Sequence, residues 1–576
     1  MDCRDRILSN DYVDILTDFP IAPEIAAGFD LCYTGIDDLY NIVYLNKEQA
    51  GDLEELFFEH RGMPKLYGLM QEEPVRPDRG GNTFDPYNLI VSGITRIQRE
   101  PLSLTGLGCV IVFIDTGIDY TNPVFRNPDG SSRILAIWDQ TVQSGTPPEG
   151  FYYGSEYRKE QIDTALQAPN PLEIVPSTDT NGHGSNIAAV AAGSRLEEGN
   201  AFLGAAPDAG IVVVKLKECK AYFREFYLIP DTVPAFEETD IMLAVQYADR
   251  FARAFRRPIV FCLGLGTNYG DHAGSSALSR YLNQVAVRRS RAVVVCGGNE
   301  GNAGHHYQGI LDNTGGLAAN RRPVEVRVGE NAQGFVMQFW GSIPDVYTIS
   351  IRSPGGEEIP PVRIGIRDIV TYSFIYERTR ISIGGTLVEP TSGEELITIR
   401  VRTPTAGIWT FRIEAVREIH NGTFHLWLPI TEFMNTETYF LEASQYVTLT
   451  EPAMTPNAIS VSTYAAANNS FYTESGRGFG RTGMIKPDFA APGVNVSVIR
   501  GTQTGSSMAA AITAGAVAQF LQWAVVENND SIVESREVKN YFIRGADRTF
   551  DLTYPNREWG FGRLDAAGTF NALIGV

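Results

Sequence analysis

Gly108-Cys109-Val110-Ile111-Val112-Phe113-Ile114-Asp115 is a continuous apolar run closed by an acid, and its reading decides the fold. A strand buried on both faces has this pattern, because a parallel sheet covered by helices leaves neither face to water. Thr116-Gly117-Ile118-Asp119 follows, so Asp115 stands at the carboxyl end of a buried strand. Open α/β sheets bind their ligands there. Asp-Thr-Gly occurs once in the chain, which argues against an aspartic protease, whose chemistry needs two carboxylates sharing one proton.

Three similar runs follow: Ile211 to Lys215, Ile259 to Gly264 and Ala292 to Cys296. A helical pattern over Ile241 to Ala254 separates the first two, and strand, helix, strand implies a parallel sheet. The expected class is α/β, a doubly wound parallel sheet with helices on both faces. Gly264-Leu265-Gly266 invites a dinucleotide-binding reading, but the third glycine is displaced to Gly270 and no helix follows.

At 576 residues, 43% hydrophobic and 20% charged, the chain is globular and expected to form more than one domain. A net charge of −20 disfavours nucleic acid as a partner, since phosphate binding needs clustered Lys and Arg. The six cysteines lie far apart in no metal spacing and read as free buried thiols. The amino terminus leads into no apolar stretch of a secretory signal, so a cytoplasmic, reducing location is expected. Ser507 to Val526 is long and apolar, but Thr513, Gln519 and Gln522 interrupt it, and it reads as a buried helix rather than a membrane span.

Three more stretches carry chemistry. Asn181-Gly182-His183-Gly184 precedes a run of small residues ending at Gly193, which sets His183 at a helix entrance. Gly297-Gly298-Asn299-Glu300-Gly301 closes a buried strand and offers an amide on a glycine turn, able to stabilise an oxyanion. Thr504-Gly505-Ser506-Ser507-Met508-Ala509 sets a hydroxyl between small residues at the start of the long apolar helix. Serine is too weak an acid to attack unaided. Histidine, with a reference pKa of about 6.5, can take its proton near neutrality.

In the order Asp, His, Asn, Ser these four blocks resemble the subtilisin-like serine proteases, the subtilases. Lys486-Pro487-Asp488, Ala491-Pro492-Gly493 and Gly560-Phe561-Gly562-Arg563 add to the similarity. The resemblance implies Ser507 as nucleophile, His183 as general base and then acid, Asp115 as the group fixing the imidazole, and Asn299 with the Ser507 amide as oxyanion hole. It also implies Cys262, Leu263, Gly264 and Gly298 as substrate-binding residues. No cofactor or metal is implied for the chemistry, and no calcium spacing decides whether a structural ion is present. Departures are mild: Ser506 replaces a common Thr, Ser185-Asn186 a common Thr-His, Cys262 a common Ser and Ala511 a common Pro.

Asn299 and Ser507 are separated by more chain than a subtilase core needs. Between Arg321 and Ser444, alternating runs such as Val324 to Val328, Tyr347 to Ile351, Ile397 to Val401 and Trp409 to Ile413 predict an inserted antiparallel sandwich, jelly-roll-like. Before the catalytic part, Asn10 to Phe19 and Ala50 to Arg61 read as helices, and Asp38 to Leu45 and Pro64 to Met70 as strands. A linker rich in Pro and Gly follows Glu72. The expected domains are 1–95, an α+β prodomain; 96–320 and 445–576, the two parts of the catalytic domain; and 321–444, the insertion.

With this organisation the chain resembles the clostridial subtilases that include the spore germination proteases. That implies a spore-associated role, self-cleavage and a prodomain that stays bound non-covalently afterwards, and the domain boundary sets the expected cut between about Asp85 and Glu100. The expected function is a serine endopeptidase acting on proteins or peptides. The alternative is a non-catalytic or prodomain-inhibited binding protein, and an esterase or ligase would use the same residues.

Overall fold

The computed structural model describes residues 3–21, 28, 31–59, 62–70, 84–196, 201–312 and 321–574. Its central sheet has nine strands. Eight run in the order Ser470–Phe471, Ile459–Ala465, Arg291–Cys296, Ile259–Leu263, Val110–Asp115, Gly210–Lys215, Ile134–Asp139 and Ser155–Arg158, and Phe489–Pro492 also pairs with Ile459–Ala465. From Ile459–Ala465 through to Ile134–Asp139 every neighbouring pair is parallel.

Val110–Asp115 lies in the middle, Val112 registered against Phe261 on one side and Val212 on the other. Ile111 and Phe113 join the core beneath the helix Ser506–Leu521, while Val110, Val112 and Ile114 join the core beneath the helix Glu238–Phe255. Both faces are therefore dry. Burial of each such side chain is worth about 1.5–3 kcal/mol relative to exposure.

The Ser506–Leu521 helix is long and apolar enough, with its continuation to Val526, to cross a membrane, yet every residue from Ser506 to Leu521 is buried inside the protein. Its small residues have a packing reason. A β-carbon on Gly515 would lie 2.3 Å from Ala205 Cβ and 2.8 Å from the Ala191 carbonyl oxygen, so this helix can lie against His183–Ala192 only without one.

Between the Gly298 turn and Ile459 stand two antiparallel sheets, one of six strands and one of five. Val324, Val326, Phe339, Ile349, Ile399, Trp409 and Phe411 meet between them, the inward half of the alternating runs. The sandwich begins earlier than residue 321, because His306–Ile310 forms an edge strand of the larger sheet.

In the amino-terminal unit, Tyr12–Thr17 pairs with Asn41–Asn46, which pairs with Cys32–Gly35. The helix expected over Asn10 to Phe19 is a strand. Val13 and Ile15 face one core and Leu16 the other, so burial on both sides erases the alternation and leaves a spacing that mimics a helix. Leu53–Glu59 is helical as its pattern indicates. Cys3 and Cys32 form a disulfide, correcting the reading of six free thiols; Cys109, Cys219, Cys262 and Cys296 are free and buried.

The start of the expected linker lies outside the described residues. Its end, from Asp85 on, forms the short helices Tyr87–Val91 and Ile94–Ile97, and Ser92 accepts a hydrogen bond from the Ala566 amide.

Candidate active site

Asp115, His183 and Ser507 arrive from three elements: the end of the central strand, the first residue of a helix and the first turn of the core helix. Gly182, at φ 88°, lets the chain turn sharply into the His183 helix. Gly184 lets that helix approach the strand, since a β-carbon there would lie 2.3 Å from the Gly117 carbonyl oxygen and 3.2 Å from Asp115 Cβ. The result is a continuous relay. His183 Nδ1 lies 2.8 Å from Asp115 Oδ1, and Nε2 lies 3.0 Å from Ser507 Oγ.

All three side chains are buried. With Asp115 accepting at Nδ1, the proton sits there and Nε2 faces the hydroxyl as an acceptor, the state in which imidazole can remove a proton. Asp115 Oδ1 also accepts from the Thr116 amide, which fixes the carboxylate.

The His183 turn has a second support that motif reading overlooked. Asp179 accepts from the Gly182 amide, the Ser185 amide, the Ser185 hydroxyl and the Thr116 hydroxyl, each at 2.7–2.9 Å. Thr116 in turn accepts from the Gly184 amide at 3.0 Å. Its place two residues before Asn181 was the one available signal.

Asn299 reaches the same point. Its Oδ1 accepts from the Ser506 amide at 3.0 Å, which leaves Nδ2 buried and without a hydrogen-bond partner. An amide oriented by its oxygen, with its donor unspent beside a serine, has the geometry to meet a developing negative charge. Gly298, at φ 84°, forms the turn, and a β-carbon on it would lie 2.5 Å from Thr450 Cγ2. Cys262 and Leu263 lie in the strand leading to the site and are buried in the cores on its opposite faces; burial pushes the Cys262 thiol well up, so it is no competing nucleophile.

The chain itself fills the cleft. Leu66–Leu69 runs antiparallel to Phe236–Glu237 on one side and to Leu265–Gly266 on the other, Gly68 opposite Gly266 and Leu69 opposite Leu265. The Met70 amide donates to the Gly264 carbonyl at 3.0 Å, and the Met70 carbonyl accepts from the Ser507 amide at 3.4 Å. A β-carbon on Gly266 would lie 3.2 Å from Met70 Sδ, so that glycine leaves room for the side chain. A carbonyl held against the serine amide, at the end of an extended strand, is bound as a peptide substrate would be.

The interval expected for self-cleavage does not include this strand. Asp85 to Glu100 lies elsewhere, its Asp85 amide held by Ser497 Oγ and its helices against the carboxyl-terminal segment. Met70 carries no motif, and Leu265 and Gly266 enter the sequence reading only as part of a weak dinucleotide-binding pattern; of this group Gly264 alone is expected to bind substrate. Among the described residues no three His, Cys, Asp or Glu gather as a metal site.

The sequence pattern of the Subtilase family matches residues 106–316 and 435–562 of the chain, on either side of most of the sandwich. Among solved structures, the chain is similar to the Clostridium perfringens CspB protease, with 30% identity, a TM-score of 0.74, and 85% of this chain and 99% of that one covered. Another, at 12% identity and a TM-score of 0.42, is the Staphylococcus aureus epidermin leader peptide processing serine protease, with 98% of this chain and 99% of that one covered. No curated protein matches the chain.

Proposed function

We propose that this chain, which belongs to the subtilase family and is a serine endopeptidase, takes as its first substrate its own peptide bond between Met70 and Gln71. The observation that carries this reading is the Met70 carbonyl oxygen 3.4 Å from the Ser507 amide, with the preceding residues paired as a strand on both sides.

In the reaction Ser507 Oγ attacks the Met70 carbonyl carbon while its proton passes to His183 Nε2, and Asp115 stabilises the imidazolium. The charge that develops on the carbonyl oxygen is met by the Ser507 amide and by Asn299 Nδ2. Collapse breaks the C–N bond, and His183 returns the proton to the amine of Gln71. A water molecule, deprotonated by His183, then attacks the ester, freeing the Met70 carboxylate and restoring the serine.

The amino-terminal fragment stays bound after the cut, non-covalently, and blocks other protein or peptide substrates until it is displaced. Support comes from its contacts away from the cleft. Asp14 pairs with Lys220, Glu54 Oε2 lies 3.3 Å from Arg400 Nη1 of the sandwich, and the Asp14 amide donates to Tyr222 at 2.8 Å. Intact-mass measurement and amino-terminal sequencing of wild type and Ser507→Ala test the reading. Wild type should yield a mature chain beginning at Gln71 with residues 1–70 copurifying, and Ser507→Ala should stay whole; an uncut wild type, or a cut elsewhere, overturns it.

A further inference from the structure

Ile430 and Phe433 close the cleft over Gly68. A β-carbon on Gly68 would lie 2.6 Å from Ile430 Cδ1, 3.1 Å from Phe433 Cε1 and 3.4 Å from Phe433 Cζ. Both residues come from the connection between the sandwich strands Thr423–Trp427 and Thr438–Phe440, Ile430 just before the short turn Thr431–Phe433 and Phe433 at its end. They share a core with Leu66 and Met70, the residues on Gly68's face of the strand. Both are almost wholly buried, at 0% and 1% exposure, so neither can swing into open solvent.

The lid is also tied to the site. The Thr431 amide and hydroxyl donate to Glu300 Oε1 at 2.9 and 3.0 Å, and Glu300 directly follows Asn299. The second Glu300 oxygen pairs with His305 and accepts from Asn268 at 3.3 Å. Burial would raise this carboxyl, but His305 and Thr431 outweigh it and hold it below its usual range. A charged, fully engaged Glu300 keeps the turn at one height above the cleft.

We infer that the inserted sandwich sets the specificity of the protease: Ile430 and Phe433 select glycine over residues with a side chain at the position two residues before the one whose carbonyl faces Ser507. The substrate class is an extended polypeptide with that glycine, as in Tyr67-Gly68-Leu69-Met70. This rests on the self-cleavage reading and adds a restriction that reading does not contain. Alanine would push against the tip of Ile430 and shift it within a packed core, whereas a larger side chain has no such slack.

The test follows self-cleavage in the full chain by intact mass over time. Four chains are compared: wild type, Gly68→Ala, Ile430→Ala and Gly68→Ala/Ile430→Ala. Gly68→Ala should slow the cut about tenfold or more, and in the Ile430→Ala background, measured against the rate of Ile430→Ala itself, the alanine penalty should shrink to about threefold or less. Gly68→Ala cutting at the wild-type rate overturns the inference. So does an equal penalty in both backgrounds, which would mark an effect of the backbone or of folding. A wild type that is not cut after Met70 removes instead the reading beneath it.

Discussion

Phe57 of the amino-terminal unit stacks on Phe226 of the catalytic unit, their ring centroids 4.0 Å apart and their planes 6° from parallel. Phe223 and Tyr227 meet the same ring edge-on at 5.5 and 5.8 Å. One aromatic side chain thus plugs a socket on the catalytic unit built without Asp115, His183 or Ser507. Phe57→Ala should leave the rate of self-cleavage within about threefold and weaken retention of the 1–70 fragment by about tenfold or more, as loss of a packed aromatic implies. Copurification of the fragment on size exclusion, and its dissociation rate, measure this.

Asn299→Ala removes the unspent amide donor and also leaves the Ser506 amide without its acceptor. The cut should slow by about 10²–10³, the cost that loss of the oxyanion-hole asparagine has in subtilisin. Stability should fall by about 1–3 kcal/mol for the unpaired buried amide. Single-turnover processing rates, set beside thermal unfolding of the uncut Ser507→Ala chain with and without the change, separate the two effects.

His306 and His425 supply a dependence of stability on pH. His306 Nδ1 donates to the Tyr446 carbonyl at 2.6 Å, which leaves its Nε2 to accept from His425 Nδ1 at 2.9 Å. Burial, and after it the neighbouring His272, lowers His306 to about 3, and burial with His306 and Arg481 lowers His425 well below its ordinary value. Both are neutral in the fold. Above about pH 6.5 the unfolded histidines are neutral too and stability is full; below it the unfolded chain takes up protons that the fold refuses. Stability should therefore fall from pH 6.5 towards pH 4, by about 1 kcal/mol per pH unit for each group. The uncut Ser507→Ala chain should show a shallower fall of Tm when His425→Gln is added, with the difference confined to that window. Parallel curves would refute it.

What could be read from the sequence divides along a physical line. Asp115, His183, Asn299 and Ser507 were legible because strand ends and glycine turns impose their chemistry on adjacent residues. The parallel sheet was legible because Val110 to Ile114 is apolar on both faces. Tyr12–Thr17 misled for the same reason, since double burial hides which period a short run follows. The Cys3–Cys32 bond and the contact of Met70 with Gly264 and Ser507 depend on how distant elements dock. No local pattern encodes them. The lid over Gly68 belongs with these, because Ile430 and Phe433 read as ordinary apolar residues until the sandwich is seen against the cleft.

Gly266 offers a last and narrower prediction, for the side chain of the residue at the cut. A β-carbon there would lie 2.4 Å from Thr450 Oγ1, 3.0 Å from Thr450 Cβ and 3.2 Å from Met70 Sδ, so alanine meets a fixed wall and a flexible thioether together. Thioether chains adapt, and threonine held in a packed core does not. Thr450 is the larger obstacle. Gly266→Ala should slow the cut by about tenfold or more, an overpacking cost of 1–3 kcal/mol carried into the reacting geometry. Met70→Ala should recover little of that loss in the Gly266→Ala chain, while Thr450→Ser, which removes the methyl but keeps the hydroxyl, should not recover it either, because the closest atom is the oxygen. Thr450→Ala should recover most of it. Processing rates of the three double variants decide the order, and a full rescue by Met70→Ala would mean that the methionine, not the threonine, sets the width of the pocket.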